Sequence, residues 1–331
     1  MKMEEAPVPL MKHSIAVVAL IVAFAGAGSV LAQDYPTRPI KALTTTSAGG
    51  ISDIFMRALG DELFKRWGQP IIVENRPGGM QNVGARACTE AAPDGYTICI
   101  LNAEPVAINQ FLLKSMPFDP EKGLQPVTNL YHLIQTLVVN AQLNVKTIDE
   151  LIALSKAKPG TMNYVTASVP LALYMDTLKN EKGADWVRVP FKGGGEAVNA
   201  VLSGSTPIAL IGEGNVIGQI RAGTMTPLVM VNNLKSPNFP SVPTLSETGY
   251  KGAPSQSWYG LFMPAGTPRP IVDKVSKEVA SIVSDPAFRE RHLTARSLVP
   301  AVNTPEQFAD EIRKDRAVAQ QVVKDAGLTP Q

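Results

Sequence analysis

Thr44, Thr45, Thr46 and Ser47 set four hydroxyls in a row, and Ala48, Gly49 and Gly50 follow with little or no side chain. Ser52 and Asp53 come next, either one suited to cap a helix whose apolar residues Phe55, Leu59, Leu63 and Trp67 recur every four positions. The chemistry open to this pattern is anion capture. The first N–H groups of a helix lack intrahelical partners, and the aligned peptide dipoles leave about half a positive charge there. Glycines let a carboxylate or phosphate come close to that charge. Thr46, Ser47, Ala48, Gly49, Gly50, Ser52 and Asp53 are therefore candidate ligand-binding residues. An ordinary strand-to-helix turn of an α/β domain has the same composition.

Other chemistries have less material. Nucleophilic hydrolysis needs a serine or cysteine, a base and an orienting group, and no G-x-S-x-G motif is present. Outside the leader the histidines are His132, which reads as structural, and His292, which lies among arginines as on a solvated face. No paired CxxC motifs offer a zinc site, and no cofactor is expected. Lys192-Gly-Gly-Gly195 is not a P-loop, because the lysine precedes the glycines, but it suits an anion-friendly helix start. Glu104 and Glu213 follow predicted strands and read as solvated, since a buried carboxylate would repel an anionic ligand. Trp258 and Tyr259 read as packing residues.

Strands alternate with helices around these positions. Strands over 40–44, 70–74 and 96–101, with helices after the first two, predict a parallel sheet that binds ligands beyond the carboxyl ends of its strands. That edge gathers residues 47–50, 78–81 and 102–104. A stretch at 133–139 leads to a second alternating block. It opens with a helix over 147–156, where Thr147-x-x-Glu150 is a capping box, and continues with a strand at 163–167, a loop at 168–170 and a helix at 171–180. Further strands fall at 187–191, 207–211 and 227–231. Residues 257–263 form the return strand, and two amphipathic helices, 270–284 and 305–325, joined by a short extended piece, close the chain.

The chain is 331 residues long and 45% hydrophobic, enough for two compact domains. Its 31 basic and 29 acidic residues exclude a nucleic-acid binder or a polybasic membrane-surface protein. Residues 15–24 are an apolar run too short to span a bilayer, which takes about twenty residues. With Lys12 ahead and Val30-Leu-Ala32 behind, residues 1–32 read as a cleaved signal peptide, although Glu4 and Glu5 make Met11 a more conventional start than Met1. Cys88 and Cys99 read as two separate small buried residues, with a disulfide chemically open to them after export.

Pro39-Ile40, Gly49-Gly50-x-Ser52-Asp53, Glu74-Asn-Arg-Pro-Gly78, Ala92-Pro-Asp-Gly-Tyr-Thr97 and Val189-Pro-Phe-Lys-Gly193 occur in order. Val242-Pro-Thr244, Ser257-Trp-Tyr-Gly260, Pro264-Ala-Gly-Thr-Pro268 and Thr304-Pro-Glu-x-Phe308 follow. Together they resemble the Bug family, the periplasmic solute-binding receptors of tripartite tricarboxylate transporters, across essentially the whole mature chain. The resemblance implies an α/β two-domain periplasmic binding protein (Venus-flytrap, type II-like) with two crossover strands. Domain I would be 33–132 and 257–331, and domain II 133–256. It implies a carboxylate held by backbone N–H groups, water and hydroxyls, with one jaw at 47–53 and the other at Thr166, Ala167, Ser168 and Val169. Gly78, Gly79, Asn102, Lys192 and Gly193 would lie on neighbouring loops. The implied partners are a small-molecule carboxylate and a membrane permease, with no nucleic acid and a monomeric, periplasmic protein.

Three departures bear on the ligand, the first being Thr45, Thr46, Ser47 and Ala48 where the family has Pro-Phe-Pro-Pro before its glycines. Ile51 stands where the family has a third glycine, and Thr166-Ala-Ser-Val-Pro170 lacks the glycines of the family's opposite loop. Val169, Pro170 and Leu171 make that wall more apolar, which suits a flat or aromatic dicarboxylate such as terephthalate, unless those residues only pack the helix. An extracytoplasmic sensory component would share the same ligand step. A periplasmic hydrolase is disfavoured for want of a triad.

Overall fold

The computed structural model of the chain describes residues 35–166, 168–189, 194–232, 234–250, 257–325 and 327–330. The leader at 1–32, Ala167, Lys192 and Gly193 lie outside the described residues.

The chain builds two sheets in turn. β1 (Ile40–Thr44), helix α1 (Ile51–Trp67), β2 (Ile71–Asn75), α2 (Asn82–Thr89) and β3 (Thr97–Asn102) form a parallel unit with β1 at its centre. β4 (Leu124–Leu133) then runs through Ile134 into β5 (Gln135–Asn140), which belongs to the other sheet. There α3 (Ile148–Ala157), β6 (Asn163–Val165), α4 (Val169–Lys182), β7 (Val187–Val189), α5 (Gly194–Ser203), β8 (Ile208–Gly212), α6 (Ile217–Arg221) and β9 (Met225–Met230) follow. β10 (Trp258–Pro264) returns to the first sheet. It is followed by α7 (Arg269–Ser284), α8 (Pro286–His292), β11 (Leu298–Pro300) and α9 (Pro305–Asp325). The strand orders are β11-β4-β10-β3-β1-β2 and β7-β6-β8-β5-β9.

The expected parallel sheets are in fact mixed. β10 runs antiparallel to β3 and β4, and β5 antiparallel to β8 and β9. A strand arriving from the other sheet needs no crossover helix, so it can lie antiparallel to its new neighbours. The closing segment also differs from expectation. Between α7 and α9 lie α8 and β11 rather than a plain extended piece, and the signal was Asp285-Pro286. The Asp285 carboxylate accepts the Phe288 N–H, and proline fits the first turn that follows.

Each face of the first sheet is covered. Phe55, Leu59 and Leu63 of α1 pack with Ile98, Tyr131, Val275 and Val279 on one face. Trp258, Phe262 and Phe308 pack with α2 on the other, as the packing reading of Trp258 requires. The four-residue period of α1 is thus a core stripe, with Trp67 at its half-buried end. Trp186, Tyr164, Met175 and Leu178 anchor the core of the second sheet.

Cys88 on α2 and Cys99 on β3 are bonded to each other, which corrects the reading of two separate thiols. Alternation sets a helix against the strand that follows it, but spacing alone does not report which faces meet. The bond closes a separation of 11 residues, so its reduction should lower unfolding free energy by about 2–3 kcal/mol. Urea denaturation with and without a thiol reductant measures this.

Candidate functional site

Helix α1 starts two residues earlier than its side chains suggest. Gly50 is the N-cap, in extended conformation, and Ile54 N–H makes the first intrahelical bond, to the Gly50 carbonyl. Asp53 is the third helical residue and reaches backward: its Oδ2 accepts the Gly49 N–H at 2.9 Å. Asp53 Oδ1 accepts Asn75 Nδ2 at 3.0 Å and pairs with Arg57 at 2.9 Å. Burial opposes ionisation of this carboxyl, but Arg57, the Gly49 N–H and Asn75 outweigh it and hold it below the usual range. The jaw therefore carries its own carboxylate, and the Gly49 N–H is already committed. The N–H groups of Ile51 and Ser52 belong to the first turn, where no i−4 carbonyl exists for them.

The hydroxyl row divides by burial. Thr44 and Thr45 are buried and build the turn. Asn75 Nδ2 donates to Thr44 Oγ1 at 2.9 Å, and Thr45 Oγ1 donates to Gln81 Oε1 at 2.9 Å. Thr46 Oγ1 and the buried Ser52 Oγ lie 2.6 Å apart. Ser47, Ala48 and Gly49 are exposed. Gly49 takes φ +81°, a backbone conformation that L side chains rarely adopt. A Cβ on Gly50 would meet Thr46 Oγ1 at 3.0 Å and the Ser47 carbonyl at 3.1 Å, so this tight turn calls for glycine.

Gly78 and Gly79 form the entry to α2, where their carbonyls accept the N–H groups of Val83 and Asn82. Gln81 was not singled out by the sequence, yet its side-chain amide joins three loops: it accepts from Thr45 and donates to Glu104 Oε2 at 3.3 Å. Asn102 is buried at the end of β3, and its Nδ2 also donates to Glu104 Oε2. Glu104 is thus half-buried and hydrogen-bonded rather than solvated. Burial pushes its carboxyl above the usual range, against the pull of Ser168 and Gln81. The Ser168 hydroxyl that stands within hydrogen-bonding reach of it comes from the other sheet's loops.

On that opposite wall Ser168 is the N-cap of α4, with Val169 and Pro170 half-buried behind it. Thr166 is buried and serves the loop itself: its Oγ1 accepts the Ser168 N–H at 3.2 Å, and its carbonyl accepts from Arg188. Leu171 packs in the core of the second sheet and so does not line the wall.

Glu213 is also buried, against the solvated reading. Its Oε1 accepts from the hydroxyls of Ser236, at 2.7 Å, and Ser297, and burial pushes the carboxyl up. Ser297 follows α8, whereas Glu213 follows β8, so this carboxyl ties the two halves of the fold. Asn238 Nδ2 reinforces the tie by donating to Ser297 Oγ at 2.9 Å and to the Thr294 carbonyl at 3.2 Å. His132 stands 3.6 Å from Glu311 of α9. Among the described residues no cluster of histidine, cysteine, aspartate or glutamate suits a metal ion.

The family described as "Tripartite tricarboxylate transporter family receptor" matches residues 55–328. BugT of Bordetella pertussis is 30% identical over 312 residues, covering 92% of this chain and 95% of that protein. A solved structure described as a periplasmic transporter is 30% identical, with a TM-score of 0.81 over 89% of this chain and 99% of that one. MatC from Rhodopseudomonas palustris with bound malate is 26% identical, with a TM-score of 0.76 over 87% of this chain and 100% of that one. The two-sheet α/β architecture is that of these binding proteins, and the resemblance in the motifs extends along the chain. This chain belongs to the tripartite tricarboxylate transporter receptor family, a family of solute-binding receptors and not of enzymes.

Proposed function

We propose that this chain is an exported, monomeric receptor that captures an organic carboxylate between its two sheets and passes it to a membrane permease. The observation that carries the reading is the start of α1, where first-turn N–H groups meet exposed small residues at the carboxyl end of a central strand. The malate held by MatC supports the class of ligand. Val169 and Pro170 leave part of the opposite wall apolar, which suits a flat or aromatic acid; Leu171, packed in the core, adds nothing to that wall. A second carboxylate, as in a terephthalate-like diacid, has to share the cleft with Glu104.

A thermal-shift screen of aliphatic and aromatic carboxylic acids tests the proposal. An acid present at about 100 times its Kd should stabilise the fold by about 2.7 kcal/mol and raise the melting temperature by several degrees. Shifts from sugars or amines, with none from any acid, would contradict it.

A further inference from the structure

We infer that Glu104 sets the specificity of the cleft, admitting carboxylic acids whose far end carries a hydrogen-bond donor in preference to dicarboxylic acids. The inference rests on the carboxylate reading above and concerns the end of the ligand away from α1.

Glu104 lies just beyond β3, half-buried and therefore still reachable. Its polar neighbours come from three loops: Asn102, Gln81 and, from the opposite wall, Ser168. The side-chain nitrogens of Asn102 and Gln81 can only donate. The orientation of Gln81 is fixed by the buried Thr45 hydroxyl, which donates to its Oε1. These groups occupy Glu104 Oε2 and fix the carboxyl, which leaves Oε1 as the acceptor for a ligand.

The start of α4 leaves only the first-turn N–H groups of Val169 and Leu171 for a carboxylate of its own. The Ser168 N–H is taken by Thr166 Oγ1, and Pro170 has no N–H to offer. The Ser168 hydroxyl lies beside the Glu104 carboxyl. The protein's own carboxyl thus stands where a second ligand carboxylate would come to rest. Two carboxylates sharing one site cannot both ionise readily, so a diacid must bring a proton with it. A hydroxyl or amino group on the ligand meets a ready acceptor instead.

The test uses matched pairs at neutral pH: 4-hydroxybenzoate against terephthalate, 6-hydroxyhexanoate against adipate, and 4-hydroxybutyrate against succinate. Calorimetric titration is run on the exported full chain and on Glu104→Gln, which keeps the side chain's shape. The wild type should bind the hydroxy acid of at least one pair roughly tenfold or more tighter than its diacid. In Glu104→Gln the diacid should gain and the gap should narrow. The wild-type ranking tests the inference even if the variant folds poorly. A diacid that binds as tightly as its hydroxy partner in every pair overturns the inference alone, as does a ranking unchanged in a folded Glu104→Gln. No binding by either series overturns the carboxylate reading, and this inference with it.

Discussion

Replacing Asp53 with alanine is expected to lower unfolding free energy by about 3 kcal/mol and to abolish the melting-temperature rise produced by a bound acid. The carboxylate is buried and holds the Gly49 N–H, Asn75 Nδ2 and Arg57 at once. Without it the turn at 46–50 loses the bond that folds it back on α1. The variant should also differ from the wild type in its response to pH. The folded-state pKa of Asp53 is depressed, so its contribution is fully present above the ordinary aspartate value and is lost as pH falls through the depressed one. The stability difference between wild type and Asp53→Ala should therefore be constant near neutrality and shrink in acid. Melting temperatures of both proteins across the acid range, with and without ligand, measure the two effects. A variant with wild-type stability and an unaltered ligand shift would mean that the turn does not depend on this carboxylate.

Gly260→Val should damage the fold further, by upwards of about 3 kcal/mol, without touching the ligand loops. Gly260 lies in β10 between Leu101 of β3 and Asn129 of β4. A Cβ there would overlap Phe308 Cζ and Cε1. Phe308 cannot swing aside, because it is fully buried with its ring against Trp258 and Phe262. Trimming the ring in Gly260→Val/Phe308→Leu should recover part of the loss, a non-additivity read from denaturation of the two single variants and the double. Additive losses would place the strain elsewhere.

Both variants concern relationships that the sequence states unevenly. The alternation of strands and helices and the α1 stripe of Phe55, Leu59 and Leu63 were legible because period and burial act locally. The antiparallel placement of β5 and β10 was not, because it depends on which sheet a strand returns to. The same limit hid the bond between Cys88 and Cys99. In the candidate site the glycines and hydroxyls mark the loop at 46–53, but side-chain chemistry alone puts the helix start too late. Asp53 has the chemistry of an N-cap and acts from the third helical position, a difference fixed by where the chain turns at Gly50. Glu104 and Glu213 read as solvated in the sequence because charge disfavours burial. Their partners Gln81, Ser168, Ser236 and Ser297 lie far from them in the chain, so the compensation could not be read locally. Gln81 carried no signal of its own beyond its neighbourhood to Gly78 and Gly79.

The central claim is that a ligand carboxylate is held by main-chain N–H groups at the start of α1. A crystal structure of the protein with the acid that gives the largest thermal shift tests it most directly. The carboxylate oxygens should lie about 3 Å from the N–H groups of Ile51 or Ser52, with Ser47 close by. A carboxylate gripped chiefly by an arginine or lysine side chain, or an acid lodged outside the space between residues 47–53 and 166–169, would contradict the account.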